Sequence, residues 1–247
     1  MSQLSLALEA DISAKHVSFL ESGRATPSRE MVLLLAEQLD IPLRDRNLLL
    51  LAAGYAPCFP QRSLDDPELA GARRAVELVL RGHEPYPAIA IDRHWTLVAA
   101  NGAFAPIVAG VDAALLAPPL NVLRLSLHPA GLASRIVNLA EWRAHLFARL
   151  RQQIAVSADN TLERLREELR GYPAAAGMGA PPGDHAEVAV PLRLRAGEEV
   201  LSFISTTTIF GTPVDITLSE LAIESFFPAD SATAAALRRA MPAPRSE

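Results

Sequence analysis

The sequence holds a single cysteine, Cys58, so no disulfide can form within the chain and a cysteine-based metal site has no support. One free thiol fits a reducing compartment. Basic charge is not in excess: 23 Lys and Arg stand against 28 Asp and Glu, a net charge of −5. Nothing therefore pulls the whole molecule towards nucleic acid or an anionic membrane, and any DNA contact has to come from a local arrangement. The start, Met1-Ser2-Gln3-Leu4, lacks the basic and then apolar segments of a secretory signal. Long apolar runs are missing too, since the richest, Met31 to Leu35, is soon stopped by Glu37 and Gln38. The expectation is a soluble cytoplasmic protein with no membrane partner.

Signatures of catalysis are equally scarce. The chain has no nucleophile elbow, phosphate-cradling glycine loop, dinucleotide fingerprint or zinc-binding histidine pair. Gly177-Met178-Gly179 precedes a Pro pair in a loop rather than joining strand to helix. His128 and His145 each lack a second histidine at ligand spacing. No catalytic residue, metal or cofactor is expected; an enzyme with scattered site residues is the weakest alternative. Internal repeats are absent.

What the chain has is ample core material, with half of its residues apolar. Residues 1–53 read as consecutive short helices forming one module. Residues 54–66 hold Gly54, Pro57 and Pro60 and read as a linker. Residues 67–235 read as a second domain, and 236–247 as a tail. In that domain a helix is expected from Pro67 to about Arg81, with Pro67 in its first turn. Strands follow at Ala88 to Asp92 and Trp95 to Ala100, joined by a polar turn. A long helix is expected from about Ser134 to Ile154, another from about Ala158 to Gly171, and a mobile loop from Pro173 to Gly183. Three strands close the domain: Glu187 to Arg195, Val200 to Phe210 and Asp215 to Phe227, with a hairpin turn at Ala196 to Glu199. Two strands, a helical insert and three strands make an α+β domain with an antiparallel sheet.

In the first module Leu6, Ala7 and Ala10 share a helix face, Ala10-Asp11-Ile12 turns, and Ser13 is placed to cap a second helix. Val17 and Leu20 point to the core, leaving Ala14, Lys15, His16, Ser18 and Phe19 on or near the outside. An exposed first turn of a second helix is what enters the major groove in a helix-turn-helix. The alternative is a plain helical bundle with a solvated polar face. Between Ser2 and Ala53 seven acids outnumber five bases, so weak and salt-sensitive binding is expected.

This stretch resembles the Cro and phage-repressor type of helix-turn-helix, the XRE family. The likeness lies in Gln3, Leu6-Ala7, Ile12-Ser13, Val17-Ser18, Leu20-Glu21-Ser22-Gly23-Arg24 and Pro27-Ser28. It implies double-stranded operator DNA as partner. Gln3 would touch the DNA backbone, Ser13, Ala14, Lys15, His16 and Phe19 would meet the groove, and Arg24 would lie near phosphate. It also implies a further helix ahead of the first, so the natural start is expected upstream of Met1, or this copy is truncated. A copy that no longer binds DNA would be a ligand-binding or protein-interaction adaptor.

In the second domain the long helix carries Ile136, Leu139, Leu146, Phe147, Leu150 and Ile154 as an apolar stripe, with Arg143 in its middle. That guanidinium needs a partner: a carboxylate of the domain, water reached by snorkelling, or an acidic ligand head. Trp142 is either core or pocket wall. His145 is placed away from the stripe centre. Asn101 caps a following helix or touches ligand. Thr207, in the hydroxyl run Ser205 to Thr208, either pairs across strands or faces a cavity.

From about Pro67 onward the sequence resembles the ligand-binding domain of MmyB-like transcription regulators. The resemblance rests on Pro87-Ala88-Ile89-Ala90-Ile91-Asp92-Arg93-His94-Trp95, Asn101-Gly102-Ala103-Phe104, the stretch Leu123 to Leu132, and Asn138 to Leu146. It resumes at Ser205 to Pro213 and Phe226-Phe227-Pro228-Ala229-Asp230. It implies a two-domain chain, an all-α helix-turn-helix module followed by an α+β PAS-like domain. With that come a cavity for a small apolar or fatty-acid-like, acyl-type effector and regulation of transcription as a homodimer. Asn101, Trp142, Arg143 and Thr207 are the candidate ligand-binding residues.

Overall fold

A computed structural model describes residues 2–173, 190–211 and 213–240. Along the chain run helices α1 (Gln3–Glu9), α2 (Ala14–Glu21), α3 (Arg29–Gln38), α4 (Leu43–Ala52) and α5 (Ala70–Gly82). Strands β1 (Ala88–Ile91) and β2 (Leu97–Ala100) follow, then α6 (Phe104–Ile107), α7 (Ala113–Leu116), α8 (Val122–Leu127), α9 (Leu139–Ser157) and α10 (Asn160–Arg170). The chain closes with β3 (Leu192–Ala196), β4 (Glu199–Ile209), α11 (Ile216–Ser219), β5 (Ala222–Pro228) and α12 (Ser231–Ala240). It divides into two compact units. One takes the residues up to Ala70 with Phe210–Glu220; the other takes Gly71–Ile209 and the chain from Leu221.

Serine starts three helices of the first unit. Ser2, Ser13 and Ser28 each accept the N–H three residues ahead, satisfying a donor that the first helical turn leaves open. Ala7, Ala10, Val17, Val32, Ala36 and Leu50 are buried between the helices. The segment after α4 is held to it by Asn47, which donates to the Phe59 carbonyl and accepts from the Cys58 and Phe59 amides. Residues 210–220 pack in this same unit. Ile216 N–H donates to Pro60 O at 2.9 Å, and Arg62 pairs with Asp215.

The second unit is built on an antiparallel sheet ordered β2-β1-β5-β4-β3. Register places Ile89 opposite Glu224, Phe203 opposite Pro228 and Ser205 opposite Phe226. Strand alternation then sets Ile89, Ile91, Phe203, Glu224 and Phe226 on one face. The apolar members of that face meet Leu123, Leu127, Leu146, Leu150, Leu162 and Leu165 of α8, α9 and α10 in one core. Gly131 is required where it stands, because a Cβ there would sit 2.2 Å from the Leu125 carbonyl oxygen. This is the α+β PAS-like architecture, preceded by a helical module.

Four local expectations are corrected. Residues 134–138 do not extend the long helix: Ile136 bridges Leu194 and the Val137 amide donates to Arg193 O, so sheet pairing takes that backbone. Asn101 caps no helix. Its side chain accepts from the Ala88 amide and donates to the Leu80 and Tyr86 carbonyls, tying β1 and β2 to the end of α5. Asp215 begins a short helix rather than a strand, its carboxylate accepting the Thr217 amide. Residues 236–240, read as tail, belong to α12. Most of the loop expected at Pro173 to Gly183, and the start of the strand expected at Glu187, lie outside the described residues.

Candidate ligand cavity and DNA-facing helix

In the second unit a cavity opens between the sheet face and the helices. Apart from Ser126, Arg149 and Glu224 its lining is apolar, and Trp95, Trp142, Phe104, Phe203 and Phe226 are its aromatic members. Each tryptophan is fixed by the local chain. Trp95 takes a left-handed backbone, φ 66°, in a turn where Asp92 accepts the His94 and Thr96 amides. Its indole donates to Gln153 at 2.8 Å. Trp142 donates to the Ser126 hydroxyl at 3.0 Å and stacks on His145, ring centroids 5.4 Å apart. Burial pushes the His145 pKa down, and the Arg149 charge adds to the effect while Glu224 opposes it. The first two influences favour the neutral imidazole.

The polar end of the cavity is a three-residue cluster. Arg149 forms an ion pair with Glu224, whose side chain is only 4% exposed. Thr207 donates to Glu224 Oε1 at 2.8 Å, and Arg149 Nη2 reaches Thr207 Oγ1 at 3.2 Å. The guanidinium also lies over the Trp95 ring, 4.7 Å from its centroid.

The expected residues divide. Trp142 lines the cavity, and Thr207 stands behind it, bonded to Glu224. Asn101 and Arg143 are outside the lining. Arg143 instead donates to the carbonyls of Leu169, Arg170 and Tyr172, where α10 ends and its last carbonyls lack partners. Burial lowers its pKa. Arg143 thus closes a helix end, and neither a carboxylate nor the cavity lining takes its guanidinium. His145, expected off the buried face, stacks against it. Arg149 and Glu224 were missed. The signal was available for Arg149, which lies three residues after Leu146 and seven after Trp142 and so shares their helix face.

In the first unit α1, a turn at Asp11 and α2 make a helix-turn-helix. Lys15 is exposed and sits over the Phe19 ring, 5.4 Å from its centroid; Ala14, His16 and Phe19 are half-buried. Ser13 uses its hydroxyl oxygen on the His16 amide. Gln3 donates to Glu21, joining the first turn of α1 to the last of α2. Arg24 and Arg29 are exposed, whereas Arg44 is held by Glu220 and Arg46 by the Ile41 carbonyl. Among the described residues no helix is long and apolar enough to cross a membrane.

A helical reader module followed by a PAS-like domain with an apolar cavity defines a class, the ligand-responsive DNA-binding transcription regulators. Comparison with protein families narrows it. The model described as "MmyB-like transcription regulator ligand binding domain" matches residues 72–240, well over half of the chain, and "Helix-turn-helix" matches residues 1–45. The chain belongs to the MmyB-like transcription regulators. A search of curated proteins finds no match.

Proposed function

We propose that this regulator senses a small molecule with an apolar body in the cavity walled by Trp95 and Trp142, and that it reads double-stranded operator DNA as a homodimer. The observation that carries the effector reading is the lining, apolar except for Ser126 and the Arg149–Glu224 pair. Apolar walls with a few placed polar groups favour a ligand that is apolar along its body and polar at one end. On the DNA side Lys15 and His16 enter the groove from the first turn of α2, while Arg24 and Arg29 meet phosphate. Two copies bind two half-sites, so the operator is two-fold symmetric. Such a protein works in the cytoplasm, where its DNA is.

The effector reading has a direct test. The chain has two tryptophans and both line the cavity. Titration with decanol is expected to give a saturable change in tryptophan emission. A flat response to decanol and to its amide, acid and amine analogues would remove the cavity reading.

Charge favours one second reading. Acids outnumber bases between Ser2 and Ala53, and two of the five bases are held internally, which suits an adaptor that no longer binds DNA. Selection of binding sites from a random duplex pool separates the two, because an adaptor enriches no sequence.

A further inference from the structure

The polar end of the cavity carries one positive and one negative charge, already paired with each other. Both hydrogen bonds to the Glu224 carboxylate, from Arg149 and Thr207, fall on Oε1. Among the described residues none falls on Oε2, although Glu224 is 3% exposed and lines the cavity. That oxygen is not sealed within the protein, and a ligand that brings a donor to it in this largely apolar cavity fills its open position. Both bonds made by the Arg149 side chain leave from Nη2, so its other N–H groups remain to serve an acceptor.

From this we infer that the cavity selects a neutral head group that both donates and accepts, an amide or a primary alcohol, on an apolar chain. The inference rests on the cavity being the ligand site proposed above. The head donates to Glu224 Oε2 and accepts from Arg149, leaving the ion pair intact.

Charged heads do worse for stated reasons. A carboxylate competes with Glu224 for one guanidinium and places a second negative charge beside the first where water is scarce. An ammonium pairs with Glu224 only by sharing it with Arg149, and the Trp95 face that would favour a cation already carries Arg149.

The test uses the full chain and four ligands of equal length: decanamide, decanol, decanoate and decylamine, each titrated at pH 7.5 by calorimetry with tryptophan emission alongside. Decanamide and decanol are expected to bind at least tenfold more tightly than the other two. Decanoate or decylamine binding as tightly as the neutral pair, or more so, overturns the inference while leaving the cavity a ligand site. Binding by none of the four overturns the cavity reading, and the head-group inference with it. Glu224→Gln adds a second readout, because removing the negative charge frees Arg149 for a carboxylate. The preference over decanoate is expected to fall at least fivefold in this variant; an unchanged preference in a variant with parental circular dichroism counts against Glu224 as the selecting group. The comparison on the unaltered chain stands whether or not the variant folds.

Discussion

Glu220 receives Arg44 through two parallel hydrogen bonds, Nε to Oε1 at 2.7 Å and Nη2 to Oε2 at 2.9 Å. The residues are 176 apart in sequence yet pack within one compact unit. Together with Arg62–Asp215 this pair fastens the connection between β4 and β5 against α4 and the segment that follows it. Bidentate geometry and partial burial make it stronger than an ordinary surface pair. Glu220→Ala is expected to cost about 1–2 kcal/mol, below the cost of breaking a fully buried pair. Urea unfolding of the full chain measures it, and an unshifted midpoint would show the clamp to be inert.

Arg143 closes the end of α10 rather than the cavity. Arg143→Met removes donors from the carbonyls of Leu169, Arg170 and Tyr172 and keeps most of the packing of the stem. The expected loss is about 1–3 kcal/mol of stability, in the range for hydrogen bonds to a charged group. Ligand affinity should stay at the parental value. Thermal melts with and without decanamide read both quantities; lost affinity at parental stability would return Arg143 to the ligand site.

The same residue shows why part of the site was hidden in the sequence. A stripe begun at Ile136 and Leu139 centres on Arg143, but Ile136 lies outside the helix and pairs with β3. Once α9 starts at Leu139 the buried positions are Trp142, Leu146 and Leu150, and Arg143 falls at the edge of that face, about 60° from its centre. The strands β1 and β2 were legible because apolar runs flank a turn of Asp92, Arg93 and His94, and the cap of α2 because Ser13 stands just ahead of a helical pattern. Glu224 was not legible as a partner of Arg149, since a pair 75 residues apart follows from the register of β5 against β1 and β4, not from spacing.

Asp159 gives the fold a defined acid sensitivity. Burial is the largest influence on its carboxyl and pushes its pKa up, but hydrogen bonds from His94 and the Thr161 amide and the Arg93 charge outweigh it and hold the group at about 2. A folded pKa below the ordinary 3.8 means that the contribution is full above that value and is lost as pH falls towards 2. Asp159→Asn should therefore cost about 2 kcal/mol at pH 7 and about half as much at pH 3. Denaturation midpoints of parent and variant at the two pH values check this, and an equal gap at both would contradict it.

On DNA, Lys15→Ala with His16→Ala is expected to weaken specific binding by about 1–3 kcal/mol, the worth of one good base contact. If Arg24 and Arg29 each neutralise a phosphate, log affinity falls against log salt with a slope of about −2 per module. Fluorescence anisotropy across a salt series reads both. A slope near zero, or a double variant with parental affinity, would take these residues out of the interface.

The central claim is that cavity occupancy changes DNA binding by the same chain. It is tested by selecting duplexes from a random pool with the chain of 247 residues and measuring affinity for the enriched site at fixed salt, with and without saturating decanamide. The account predicts an enriched site with two-fold symmetry and an affinity that changes at least fivefold when the ligand is present. An enriched site whose affinity is the same at saturating ligand, or a pool with no enriched sequence, would contradict it.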